Sequence, residues 1–147
     1  MATPQYPNLG EVFKLTIDYS HPNVQPLTMV KNYGYDPAGW RYTGKTATGV
    51  VISKFQLVSV GLCGNWRDLG GKLAAYGKNP GGLWIQAFKD AYPKPDGRGR
   101  VGIFDASWMN QGHFECFPCI YSSGDLYFSQ VIRKFNKHWR WLVYAKK

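Results

Sequence analysis

The sequence predicts a single α+β domain with a mostly antiparallel β-sheet and two short helices inserted near the middle. Three observations support this fold class: the chain length, the alternation of apolar and polar residues in most segments, and a central region with helical spacing. The 147 residues correspond to one ordinary domain, residues 1–147. Hydrophobic residues make up 44% of the chain and charged residues 18%, a composition that supports a sizeable core and is unlike that of a disordered protein.

Alternating apolar residues predict three strands in the first part of the chain. In residues 11–19 every second side chain from Phe13 to Tyr19 is apolar, as expected of a half-buried strand. Residues 27–35 alternate in the same way and are predicted to form the second strand. Residues 50–60 are rich in β-branched side chains, which is typical of a central strand covered on both faces.

Two helices are predicted after these strands. Asn65 can cap the first helix, because its side chain can accept a hydrogen bond from an amide of the first turn, and apolar residues follow at helical spacing. Gly77 suits the exit of this helix. Asn79 and Pro80 resemble a second cap with proline at the first helical position, and the second helix is expected to stop before Pro93.

The remaining segments are predicted to form strands. Two of them are residues 101–108 and 114–121, and Pro118 indicates an edge or a bulge because proline cannot donate to a strand ladder. Residues 126–135 and 139–145 are most simply interpreted as a terminal hairpin, although part of this region also fits helical spacing. The two helices are expected to cover one face of the sheet.

Positive charge is the main functional signal in the sequence. The chain has 18 Lys and Arg residues against 9 Asp and Glu residues, a formal charge of +9. Such an excess favours negatively charged partners, among which nucleic acid, an anionic membrane face and an acidic protein are the usual ones. The first hypothesis is therefore a non-catalytic binding module for nucleic acid or another polyanion.

Two regions carry the cations that would contact nucleic acid. One is the glycine-rich loop after the second helix, whose backbone can approach a phosphate closely. The other is the C-terminal segment, where cations are interleaved with aromatic rings, the combination that single-strand binding uses for phosphate neutralisation and base stacking. The predicted nucleic-acid-binding residues are Lys94, Arg98, Arg100, Arg133, Lys134, Lys137, Trp139, Arg140 and Trp141. For the two tryptophans the alternative is burial in the core, since large aromatic side chains dominate protein interiors.

The three cysteines suggest a zinc site as an alternative to buried free thiols. Cys116 and Cys119 have the two-residue gap that lets two sulfurs meet one zinc ion, and Cys63 or His113 could complete the ligand set. A structural zinc site normally uses two such pairs, and this chain has one. Buried thiols without a metal are the more common arrangement, and no other cofactor is predicted.

Residues 39–46 match the Walker A phosphate-loop pattern letter for letter. That site requires a buried strand before the loop and a helix that begins near the lysine. The residues before Gly39 do not resemble a buried strand, and the β-branched residues from Val50 onward resist a helix. A polar hairpin loop is the preferred interpretation.

Two other functions stay open at this point. The many aromatic residues are compatible with a homo-oligomer or with a structural subunit of a larger assembly, such as a virus particle or a ribonucleoprotein, because aromatics and arginine are enriched in interfaces. A small metal-independent ribonuclease is the third hypothesis, with His113 and His138 as its acid–base pair, helped by Lys137 or Arg140. No serine-nucleophile elbow and no acidic cluster suited to magnesium occur in the sequence, so binding is favoured over catalysis.

The sequence also leads to an expectation about compartment. It contains no window of 18 apolar residues, so no membrane-spanning helix is predicted. The first residues lack the basic start and apolar run of a secretory signal, and we therefore expect an intracellular location with reduced cysteines.

Overall fold

The computed structural model describes residues 5–146, which form an α+β fold around one mixed sheet of eight strands with three α-helices. The strands are Phe13–Asp18 (β1), Arg41–Tyr42 (β2), Val50–Val58 (β3), Val101–Ile103 (β4), Trp108–Met109 (β5), Glu115–Ile120 (β6), Leu126–Gln130 (β7) and Arg140–Tyr144 (β8). The helices are Pro26–Asn32 (α1), Trp66–Leu73 (α2) and Trp84–Ala91 (α3). The α+β class was predicted from the sequence and is confirmed. Three α-helices are present in residues 5–146 where two helices were predicted, and α3 begins at Trp84, with Leu83 as its N-cap, and not at Pro80 after an Asn79 cap.

The strands follow the spatial order β1-β3-β8-β4-β6-β5-β2, and β7 pairs with β6. Neighbouring strands are antiparallel except for β4 and β8, which run parallel. The mostly antiparallel sheet is therefore confirmed. The last strand, β8, lies in the middle of the sheet between β3 and β4.

Apolar side chains form two clusters, and the residues of β8 alternate between them. Leu142 belongs to the cluster that contains the buried residues of α1 and α3. Trp141 and Val143 belong to the cluster that contains the buried leucines of α2. Because successive side chains of a strand point to opposite faces, α2 packs on the other side of the sheet from α3. The two central helices were expected on one face, and in the structure they lie on two.

A helix replaces the second predicted strand. Pro26 occupies the first turn of α1, where its fixed φ favours a helix and no amide donor is needed. Met29 and Val30 are buried side by side, and Tyr33 packs against the same cluster one turn later. The alternation of residues 27–35 favoured a strand, but Leu27 is exposed whereas Met29 and Val30 are buried, so the alternating residues do not form one buried face.

The predicted terminal hairpin is wrong. β7 pairs with β6, and β8 pairs with β3 and β4, so the two segments are not partners. Between them the chain crosses the face covered by α2, where the backbones of Phe135 and Cys63 exchange hydrogen bonds of 2.8 and 2.9 Å. The residues that pair with β8 lie 39 or more positions earlier in the sequence, beyond the reach of a local turn signal.

Two further expectations hold in part. The second half of β3 is buried, but Val50 and Ile52 in its first half are each 64% exposed, so the strand is not covered on both faces along its length.

Pro118 lies inside the sheet and not on an edge strand. It falls between Cys116, which pairs with β5, and Cys119, which pairs with β4, so the missing donor coincides with a change of partner strand.

Candidate polyanion-binding surface

Trp139 and Trp141 are core residues. Their side chains retain 2% and 1% of their exposure, and the two rings stack with centroids 5.0 Å apart and an interplanar angle of 12°. Both residues were predicted from the sequence to stack on bases, with burial in the core as the alternative. In the structure both are buried. In this arrangement neither ring can stack on a nucleic-acid base.

The Trp139 ring supports two guanidinium groups. The Cζ atoms of Arg100 and Arg133 each lie 5.3 Å from its centroid. Trp141 stacks on the same ring, and the Cζ atoms of Arg100 and Arg133 are at most about twice that centroid distance apart. Arg100 comes from the loop before β4 and Arg133 from the segment after β7, so the structure brings together cations from both predicted regions.

Arg133 is held in place by further contacts. Its Nη1 donates to the Ser129 hydroxyl at 3.1 Å, and its Nε donates to the Lys134 carbonyl at 3.3 Å. The guanidinium also lies 5.8 Å from the Phe135 ring. These contacts restrict the side chain before any ligand arrives.

Arg100 lies beside a stacked pair of tyrosines. The rings of Tyr121 and Tyr127 are 3.7 Å apart and nearly parallel, and the Arg100 Cζ lies 5.1 and 5.8 Å from their centroids. These similar distances place the cation beside the stacked pair. A cation above the outer face of Tyr121 would be much farther from the Tyr127 ring than from the Tyr121 ring. Tyr121, which is 39% exposed, therefore keeps its outer ring face free of Arg100.

The cationic area extends to α2 through an open groove of about 470 Å³. Arg67 of α2 lines this groove together with Arg133, Lys134 and apolar side chains that include Val131 and Ile132. We call Arg67, Arg100, Arg133, Lys134 and Tyr121 together the arginine surface. Sequence reasoning missed Arg67 and Tyr121, since their positions beside the other cations depend on contacts between distant segments.

No carboxylate neutralises the arginine surface within the described residues. Across residues 5–146, the ion pairs within 4.0 Å are Lys72 with Asp68 and Arg140 with Asp96. The three arginines and the lysine of the arginine surface are in neither pair. Their charge is available to a ligand.

Arg140 has a structural role and does not face a ligand. Its guanidinium donates to both carboxylate oxygens of Asp96 and, at 3.0 Å, to the Gly99 carbonyl. The residue is buried. The prediction that Arg140 contacts phosphate is therefore not supported by its position, because the side chain is already occupied in holding the loop that precedes β4.

The other predicted cations lie on exposed loops. Lys94 and Arg98 belong to the loop between α3 and β4, and Lys137 belongs to the loop before β8. The backbone of Gly99 packs directly against that of His138, so these two loops are neighbours. No aromatic or carboxylate contact within residues 5–146 fixes the three side chains.

Within residues 5–146, the side chains considered as zinc ligands are not grouped together. Cys116 and Cys119 are three residues apart in β6, so their sulfurs point to opposite faces and belong to different core clusters. In the part of the chain that the structure describes, no three His, Cys, Asp or Glu side chains are grouped to hold a metal ion, and this includes Cys63 and His113. All three cysteines are free thiols in the interior.

The two histidines proposed for a ribonuclease are not brought together. His113 lies in the turn before β6. His138 lies near the other end of that strand, because Val101 pairs both with Ile120, at the end of β6, and with Arg140, at the start of β8. The six residues of β6 span about 20 Å at 3.3 Å per residue, too far for one acid–base pair.

The segment that matches the phosphate-loop pattern does not have that architecture. It contains the two-residue strand β2, and the next regular element after Lys45 is β3 and not a helix. Lys45 lines a cleft of about 410 Å³ with Asp105 and Ser107. The Asp105 carboxylate accepts a 2.6 Å hydrogen bond from the Gly82 amide, just before α3, so it is already engaged in ordering that helix start.

None of the helices in residues 5–146 has the length and apolar character that a membrane crossing requires. No protein-family model, no curated protein and no solved structure matches this chain.

Proposed function

We propose that this protein binds single-stranded nucleic acid through the arginine surface, without catalysing a reaction on it. The observation that carries the proposal is that Arg100 and Arg133 both pack against the Trp139 ring and have no carboxylate partner in the described residues. Guanidinium groups bind phosphate oxygens through a planar fork of donors, which suits a chain of phosphates better than an isolated anion.

Packing beneath the guanidiniums supports this proposal on energetic grounds. A flexible arginine loses side-chain freedom when it binds, and an arginine already ordered by its neighbours loses less. The indole of Trp139 and the hydroxyl of Ser129 order Arg133, and the Tyr121–Tyr127 pair and Trp139 order Arg100. The tryptophans thus serve as a rigid base for the cations.

Tyr121 is the ring that we assign to base stacking. It lies beside Arg100, and its outer face is free of that cation. A base stacked on an aromatic ring contributes about 1–3 kcal/mol in single-strand complexes. A duplex does not offer an unpaired base for this contact, and single strands are therefore the favoured ligand class.

Salt-dependent binding tests the proposal. We would measure the affinity for a fluorescein-labelled oligo(dT) and an oligo(U) of 12 nucleotides by anisotropy over a series of salt concentrations. Arg100→Gln combined with Arg133→Gln should weaken binding and reduce the slope of log K against log salt by about 1.4, because each single-strand phosphate contact contributes about 0.7.

A matched control separates local contacts from total charge. Lys31→Gln combined with Arg41→Gln removes the same number of charges from exposed positions on α1 and β2, and its slope should stay close to that of the unmodified protein. Equal losses in both double variants, or binding that does not change with salt, would overturn the proposal.

A further inference from the structure

Strand β1 forms one edge of the sheet, with half of its backbone groups directed outward. The strand pairs with β3, and the Tyr19 amide continues this ladder with a 3.0 Å bond to the Gly49 carbonyl. Because hydrogen-bonding directions alternate along a strand, the amides of Lys14, Thr16 and Asp18 point away from β3. Within residues 5–146, β3 is the strand partner of β1, so no strand pairs with β1 on the side to which these three amides point.

The solvent face next to this edge is partly apolar. Thr16 lies opposite Ile52 and Asp18 lies opposite Val50 in the β1–β3 ladder. Both apolar residues are well exposed, and α2 does not extend over them. An edge strand with unpaired amides beside exposed apolar residues is a ready template for another strand.

This face carries two lysines that have no acidic partner within the described part of one chain. Lys14 and Lys54 are directly opposite each other in the ladder, an arrangement that is destabilising for like charges. Neither lysine has a carboxylate within 4.0 Å in the described residues. The edge therefore lacks a negative group at the level of Lys14.

We propose that the edge of β1 pairs antiparallel with β1 of a second copy of this chain, about a two-fold axis at Thr16. Only outward-facing residues can exchange hydrogen bonds, so the registers available pair even-numbered residues with one another. The register centred on Thr16 sets Lys14 of each copy opposite Asp18 of the other. Registers centred on Lys14 or on Asp18 would set like charges opposite each other, and those centred on Leu15 or Ile17 would set each charge opposite an uncharged residue, so only the register at Thr16 pairs opposite charges.

The environment of Asp18 is suited to this contact. Its Oδ1 accepts hydrogen bonds from the Ser20 amide at 3.0 Å and the Ser20 hydroxyl at 2.6 Å, which leaves Oδ2 for an ammonium group. The hydroxyl and amide bonds from Ser20 also lower the pKa of Asp18, which keeps the carboxylate charged. The paired sheets would form one continuous sheet with the Val50 and Ile52 side chains of both copies on one face. The arginine surface takes no part in this contact, so the inference is independent of the proposed function.

Charge reversal on the two facing residues tests both the interface and its register. We would measure sedimentation velocity for the unmodified chain, Lys14→Asp and Asp18→Lys, each alone and then in an equimolar mixture. The unmodified chain should sediment as a dimer, and each variant alone as a monomer, because each then sets like charges opposite each other twice. The mixture should restore a dimer, since the two variants complement each other in this register.

Folding and total charge are controlled in the same experiment. Lys14→Asp replaces the like-charge pair with Lys54 by a pair of opposite charges, so the fold should not become less stable, and circular dichroism verifies that the variant is folded. Loss of the dimer can then not be attributed to a less stable fold. Lys31→Asp, with the same change of charge on α1, should remain a dimer. An unmodified chain that stays monomeric at every concentration, a mixture that stays monomeric, or dimers in both single variants would overturn the proposal.

Discussion

The guanidinium of Arg140 forms a bidentate ion pair with the carboxylate of Asp96, with N–O distances of 2.6 and 2.9 Å. The Arg140 side chain is 8% exposed and that of Asp96 25% exposed. The pair joins the central strand β8 to the loop that leads into Arg100. It therefore positions one side of the arginine surface without contacting a ligand.

Removing the acid of this pair should destabilise the fold. Asp96→Asn leaves the Arg140 charge buried without a counter-ion, and because Asp96 is partly exposed we expect a loss of about 2–3 kcal/mol, below that of a fully buried pair. Urea unfolding at pH 7 measures it. Asp36→Asn is the matched control, since Asp36, like Asp96, accepts a hydrogen bond from the amide two residues later, and it should change stability little.

The stability that the Arg140–Asp96 ion pair contributes to the fold should be lost at low pH. Burial alone would raise the pKa of Asp96, but the hydrogen bond from Arg140, that from the Arg98 amide and the nearby positive charges outweigh it and lower the pKa. A carboxylate with a lowered pKa stabilises the fold above its unfolded value of about 3.9, and this stability is lost as pH falls through the folded pKa. The stability gap between the unmodified protein and Asp96→Asn should therefore narrow below about pH 4 in urea titrations. A constant gap from pH 7 to pH 2 would contradict this assignment.

Two glycine substitutions should have opposite effects on stability. A Cβ atom at Gly102 in β4 would lie 2.7 Å from the Trp141 ring and 3.0 Å from the Trp139 ring, so Gly102→Ala should cost about 1–3 kcal/mol through overpacking. At Gly71 in α2 a Cβ atom meets nothing within 4 Å. Gly71→Ala should stabilise the protein by about 0.5–1 kcal/mol, because alanine is the better helix former. Thermal unfolding of both variants gives the signs, and a stable Gly102→Ala protein would contradict the close packing of the indole stack.

The three thiols should be unreactive in the folded protein. Burial raises the pKa of the Cys116 thiol to about 11 and also raises the pKa values of Cys63 and Cys119. The thiolate is the reactive form, so a disulfide reagent at pH 8 should modify none of the three cysteines quickly. All three should react once guanidinium chloride unfolds the chain. Rapid modification of one cysteine in native protein would show that its site opens.

Substitution of Tyr121 should separate the contribution of base stacking to the binding affinity from the contribution of charge. Tyr121→Leu keeps an apolar side chain beside Tyr127 but removes the exposed aromatic face, so affinity for oligo(dT) should fall about 5- to 150-fold, as expected for the loss of one stacked base. Affinity for polyphosphate, which has no bases, should change little. A parallel loss for both ligands would mean that Tyr121 acts by positioning Arg100.

Elements defined by neighbouring residues were predictable from the sequence. The apolar residues of β1 alternate and are buried as expected. Asn65 caps α2 through a 2.8 Å bond from the Asp68 amide to its side-chain oxygen, the interaction that its position indicated. In both cases the deciding contacts lie within one strand or one helical turn.

Elements defined by distant partners were not predictable. Residues 126–135 and 139–145 follow each other closely, which favours a hairpin, but β8 pairs with β3 and β4, where residues 140–143 are buried. The arginine surface has the same origin. Arg100 and Arg133 come together because both pack against Trp139, and Arg140 was misassigned because a basic residue in a cationic segment does not reveal a buried partner 44 positions away.

The central position of β8 has a consequence for biosynthesis. The strand order leaves β8 as the connection through which the β1–β3 ladder joins the strands from β4 onward. A ribosome that has not yet released residue 144 would therefore carry two separate ladders with exposed apolar edges. Until β8 pairs with β3 and β4, the unpaired edges of both ladders can act as templates for strands of other chains.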